Sequence, residues 1–95
     1  MEVSMRESYS YIVKLIATFD NGGQNFVNMV VAQSKRKACN WIRNYYKSLL
    51  NNPIYNRDYD CKLVEQGDGY VWYKQTDKRG EVVDIYIGID VILNI

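Results

Sequence analysis

An α+β fold, with an antiparallel sheet of about five strands in the order ββαβββ and one helix packed on one face, is what this chain predicts. Three observations carry that reading. Apolar and polar residues alternate with a period of two before residue 33 and again after residue 58. Between those regions the period changes once, at Ser34, to that of a helix, and the turn-forming stretches "DNGGQ", "GDG" and "DKRG" separate the alternating runs.

The first run, "YSYIVKLIATF" from Tyr9 to Phe19, sets Tyr11, Val13, Leu15, Ala17 and Phe19 on one face. Ile12, Lys14, Ile16 and Thr18 fall on the other, as expected of a strand that is apolar on one side and mixed on the other. "DNGGQ" then supplies glycine and asparagine for a tight turn, and "NFVNMVVA" returns as the second strand of a hairpin.

At Ser34 the pattern becomes helical. A serine oxygen can accept from the free amides of a first turn, which makes Ser34 the expected N-cap. Ala38, Trp41, Ile42, Tyr45, Tyr46, Leu49 and Leu50 then recur at helical spacing as one buried stripe, with Trp41 and Ile42 facing the sheet. "NNP" ends the helix, because Pro53 disfavours helical backbone at the residue before it, and "IYNRDY" reads as a loop.

"YDCKLVEQ" and "YVWYKQT" form a second hairpin about "GDG", and "DKRG" leads into "EVVDIYIGIDVILNI", a long last strand with a bend expected at Gly88. An apolar strand of that length is an aggregation hazard as a free edge. It is therefore expected at the centre of the sheet or paired across a homodimer. Each element buries its apolar side if the helix lies on one sheet face. A helix about 10 Å wide leaves the other face open, and tyrosines with Trp72 are expected there. Tyr73 and Tyr86 are taken as the candidate contact residues of that face.

Composition bounds the function. The 95 residues suffice for one domain, 1–95, and 47% hydrophobic with 24% charged residues is a globular balance rather than a disordered one. A net charge of +1 argues against a wholly basic nucleic-acid binder and against an acidic DNA mimic, so any electrostatic preference must be local. The first residues, "MEVSMRESYS", include acids and no apolar core of signal-peptide length, and no apolar run reaches the ~18 residues of a membrane span. The cytoplasm of a host cell is the expected location.

Histidine is absent, which removes the commonest general base and the commonest zinc ligand. Cys39 borders the helix stripe one turn inside a basic first turn, a setting that lowers a thiol pKa, but a small buried residue filling the core edge is the simpler account. Cys39 and Cys61 read as two reduced, mostly buried thiols rather than as a disulfide. Asp58 and Asp60 in "NRDYD" could share a divalent cation, yet spacing places no further ligand beside them, and acids solvating a loop are the simpler account. No enzyme, cofactor or metal site is expected.

Charge is distributed unevenly. Residues 21–57 hold six bases and no acid, whereas residues 58–95 hold eight acids and four bases. Arg36, Asn40, Arg43 and Lys47 share the helix face opposite the apolar stripe, and Lys35, Arg36 and Lys37 occupy a first turn where the helix dipole favours acids. A solvated face explains this pattern, and so does an anionic contact through Lys35, Arg36, Arg43 and Lys47.

The hairpin running into "VVAQSKRKACNWI", a strand that ends at a serine-capped helix with a small residue four on, resembles small orphan proteins of phages and other mobile elements. Anti-defence inhibitors of the anti-CRISPR type are among them. That resemblance implies a stoichiometric inhibitor or modulator of a host defence protein. Two classes of function are therefore expected: a non-enzymatic protein-binding module of that type, or a nucleic-acid-binding domain using the basic helix 35–50. The first takes precedence because nucleic-acid binders are usually more basic than +1.

Overall fold

In the computed structural model, which describes residues 8–94, the ββαβββ order is present with a short second helix added. Ser8–Thr18 (β1) and Gln24–Ala32 (β2) form the first hairpin, followed by Lys35–Leu50 (α1) and Pro53–Asp58 (α2). Tyr59–Gly67 (β3), Tyr70–Asp77 (β4) and Val82–Asn94 (β5) complete an antiparallel sheet of lateral order β2-β1-β5-β4-β3. The last strand thus lies between the two hairpins, and it pairs with β1 along the whole length from Ser8↔Asn94 to Thr18↔Asp84. Residues 1–7 and Ile95, the end of the expected last strand, lie outside the described residues.

Local chemistry sets the boundaries. Gly22 (φ 85°) closes the β1–β2 turn and Gly80 (φ 87°) the β4–β5 turn, both in the left-handed region where a Cβ is strained. Asp77 braces the second turn, its Oδ1 accepting from the amides of Arg79 and Glu81 at 2.9 Å each. Ser34 caps α1 as expected, its Oγ accepting from the Lys37 amide at 3.2 Å. "IYNRDY" is not a loop: Asn52 Oδ1 accepts from the amides of Ile54 and Tyr55 at 3.0 and 3.2 Å, and Pro53 opens α2. Proline at the first helical position gives up an amide that had no partner in any case, so the residue that ends α1 also begins α2.

The core lies between α1 and one face of the sheet. Val13, Val71, Tyr73, Ile85 and Ile87 rise from the strands to meet Ala38, Ile42 and Tyr46. The helix stripe is narrower than its sequence suggests: Leu50 is exposed, and Trp41 is only partly buried at the edge of the helix, stacked on Tyr45 at 5.2 Å. Trp41 is therefore a shoulder of the core rather than its centre.

Length mismatch shapes the rest. The 16-residue helix spans about 24 Å and the 13-residue β5 about 44 Å, so α1 cannot cover the long strands from end to end. β4 pairs with β5 no further than Ile87, and β2 pairs with β1 only as far as Tyr11. Beyond those points β1 and β5 continue as a two-stranded ribbon, and the molecule measures 65 × 29 × 20 Å. The last strand is thus central over its first half and an edge over its second.

Candidate interaction surfaces

The sheet face away from α1 has no covering layer among the described residues. Alternation puts Phe26, Ile16, Tyr86 and Trp72 on it, and the register aligns them in one row across four strands: Phe26↔Ile16, Ile16↔Tyr86 and Tyr86↔Trp72. Phe26 is 61% exposed, Tyr86 41% and Trp72 37%. Tyr70 stacks on Tyr86 with ring centroids 5.9 Å apart and planes 18° apart.

Two glycines make room for these rings. A Cβ on Gly88 would stand 2.6 Å from the Tyr86 ring, and one on Gly67 would stand 2.3 Å from that of Tyr70. Both rings therefore lie along the sheet instead of standing off it. Polar groups surround them: Trp72 Nε1 donates to Asp84 at 3.3 Å, Tyr70 donates to Glu65 at 2.9 Å, and Lys14 pairs with Asp90. The bond to Glu65, ahead of burial, raises the Tyr70 phenol above its ordinary pKa. An apolar centre within a polar rim is the usual composition of a protein contact.

Of the two tyrosines expected on this face, only Tyr86 is there. Tyr73 points the other way and is 1% exposed beneath α1, its ring 5.2 Å from that of Tyr46. The correction follows from parity: Tyr73 pairs with Ile85 and shares its face, whereas Trp72 pairs with Tyr86. Tyr73 is a core residue, and Trp72 takes its place on the surface.

Lys35, Arg36, Arg43 and Lys47 are all exposed, as is Lys37; Lys35 shares the sheet-facing side of α1 with Ala38 and Ile42, and the other four lie outside that stripe. None of the five makes an ion pair with a described residue. Arg36, Lys37, Arg43 and Lys47 lie on the opposite side of the two-layer structure from the aromatic row, so a flat partner cannot engage them and the row at once. Lys35 alone reaches the margin of the open face, lining a hollow beside Tyr70 and Tyr86.

The other groups of chemical interest do not converge on a reaction centre among the described residues. Cys39 and Cys61 are free and partly buried. Burial raises the Cys61 thiol, which lies 3.7 Å from the Tyr46 hydroxyl, and the phenols of Tyr46 and Tyr55 are raised first by burial too. Tyr55 donates to Gln75 at 2.7 Å, which secures α2 against β4. Asp58 is paired with Arg57 at 3.0 Å, and that hydrogen bond holds its carboxyl below the usual range. Asp58, Asp60 and Asp77 line a shallow surface hollow of about 280 Å³ but form no metal-ligating group.

Sequence reasoning placed Tyr86 correctly and missed Phe26, Ile16 and Tyr70 as its companions. Their signal was the mixed face of each strand, but only the strand order brings those faces together. Comparison with protein-family models, with curated proteins and with solved structures found no match to this chain.

Proposed function

We propose that the chain is a small non-enzymatic protein-binding module, an inhibitor or modulator of phage type directed at a host defence protein. It meets its partner through the open face of the sheet. The observation that supports this reading is the uncovered row Phe26, Ile16, Tyr86 and Trp72, with Tyr70 stacked beside it. Aromatic side chains dominate the energy of protein contacts when a rim of polar groups excludes water around them, and Lys14, Glu65, Asp84 and Asp90 supply such a rim. The defence-protein target comes from the resemblance to mobile-element inhibitors, and the cytoplasm of the host cell is the compartment in keeping with two free thiols.

A second reading rests on the five helix cations that lack an ion pair. They suit the phosphate backbone of a nucleic acid, with the half-exposed Trp41–Tyr45 stack as a neighbouring aromatic surface. Capture from host lysate, with and without nuclease, followed by binding measurements on two folded variants, separates the two. The pair Trp72→Ala and Tyr86→Ala should weaken partner binding by about 30-fold or more, the scale of losing contact residues worth 2 kcal/mol or above. The triple change Arg36→Glu, Arg43→Glu and Lys47→Glu should mainly slow association. Intact binding by the aromatic variant, with binding lost on charge reversal and steeply dependent on salt, would favour the nucleic-acid reading.

A further inference from the structure

The free edges of the sheet are unlike one another, three of them long and one short, the last being Ser8–Ser10 of β1 beyond its final pair with β2. β2 carries an extra residue, Met29, between the pairs Val13↔Val30 and Lys14↔Asn28, and β3 carries Val64 between Leu63↔Tyr73 and Glu65↔Trp72. Bulges of this kind twist an edge away from intermolecular pairing, and Lys62 and Glu65 add charge to the β3 edge. The third edge is β5 itself from Asp90 to Asn94, where β1 covers one side and β4 no longer covers the other. No described residue pairs with the backbone donors and acceptors on that side. It has no bulge and no proline, and its single charge, Asp90, is already bound by Lys14. Val91, Ile92 and Leu93 are 56%, 45% and 42% exposed, apolar on both faces of a ribbon too narrow to bury them.

We propose that this edge pairs antiparallel with the same edge of a second copy of the chain, about a two-fold axis through Ile92. A symmetric contact must be self-complementary, and the register decides whether it is. With the axis at Ile92, Ile92 faces its counterpart, Val91 faces Leu93 of the second copy, and Asp90 faces Asn94. Apolar residues then meet apolar ones and polar residues meet polar ones at every position. An axis at Val91 would set the Asp90 carboxylate against Ile92, one at Asp90 would bring two carboxylates together, and one at Leu93 would oppose Ile92 to Asn94.

Space is present for the added strand. A hollow of about 310 Å³ lies between the β3–β4 turn, at Asp68 and Gly69, and Ile89 and Val91 of β5. Antiparallel pairing aims the end of the second copy's β5 into it, in line with β4. Directly opposed residues share a face, so both α1 helices lie on the same side of one continuous sheet. Five residue pairs make a small interface of the weak, concentration-dependent class. The contact adjoins the proposed partner surface, because Tyr70 and Tyr86 also line this hollow, but its axis at Ile92 lies six residues, about 20 Å, along β5 from Tyr86.

Sedimentation equilibrium of the full chain tests it. The mass should rise from 11.2 kDa toward twice that value as concentration approaches ~1 mM, the weak end of the affinity scale. Ile92→Lys, which sets two cations across the axis on an exposed position, should return the chain to a monomer without changing its melt or its capture of a partner. In a Cys39→Ala, Cys61→Ala background, Ile92→Cys should cross-link with a short bifunctional thiol reagent at least tenfold faster than Phe26→Cys, a more exposed position on a bulged edge. A mass fixed at 11.2 kDa up to ~1 mM, a dimer that survives Ile92→Lys, or equal cross-linking at the two positions would each overturn the proposal.

Discussion

Trp72 and Tyr73 are neighbours in the chain, yet truncating them should have very different consequences. Tyr73 is 1% exposed, packed against Tyr46 and among the largest fully buried side chains. Removing an aromatic ring from such a site costs about 3–5 kcal/mol, through lost transfer energy and the cavity left behind. A small domain has about 5–15 kcal/mol in total. With a urea m-value of about 1–1.5 kcal/mol/M for a chain this short, Tyr73→Ala should lower the unfolding midpoint by about 2–5 M. Trp72→Ala removes a ring from the open face and one hydrogen bond to Asp84, and should cost about 1 kcal/mol. Tyr73→Phe is the control: the Tyr73 hydroxyl makes no hydrogen bond to a described residue, so that change should stay within about 0.5 kcal/mol of the wild type. Urea titration followed by circular dichroism measures all three. If Trp72→Ala proved as damaging as Tyr73→Ala, the face assignment of β4 would be wrong, and the proposed contact surface would be wrong with it.

Trp41→Ala should cost about 2 kcal/mol, less than Tyr73→Ala, because the indole is only partly buried and stacks on Tyr45; an unfolded variant in the same urea assay would place it in the core after all. Gly88→Ala should destabilise by about 1 kcal/mol and release Tyr86 from its stack on Tyr70, visible as a change in near-ultraviolet circular dichroism, since the new Cβ would stand 2.6 Å from the ring. Stability should fall at alkaline pH. Burial, then the bond to Cys61, raises Tyr46 from 10.0 to about 12, so its contribution is complete below pH 10 and is lost as pH rises through about 12. Tyr55, Tyr73 and Cys61 are shifted in the same direction, and tyrosinate absorbance from the buried rings should appear only as the chain unfolds.

Most of the fold was legible because each element left a periodic trace. Alternation marked the strands, Ser34 marked the start of α1, and the glycines marked the turns. Alternation separates two faces but does not say which one meets the helix. In "YVWY" both faces are aromatic, and only the pairing of Tyr73 with Ile85 beneath α1 resolves them. Lateral order was not legible either, since insertion of β5 between β1 and β4 depends on non-local pairing that leaves no local pattern. The second helix did leave a signal in Asn52 and Pro53. The same two residues also describe a helix end, and here they serve both purposes.

The ribbon that extends past the helix has a hydrodynamic consequence. Its radius of gyration of 16.3 Å exceeds the ~12 Å of a compact domain of this length, so the chain experiences the drag of a larger particle. On a gel-filtration column calibrated with spherical standards, the monomer will elute ahead of its mass and resemble an oligomer. If two copies join through β5, only residues 90–94 overlap, about 17 Å, so the two bodies lie at opposite ends and the particle becomes longer relative to its breadth. Sedimentation velocity should therefore record a frictional ratio that increases as the mass doubles.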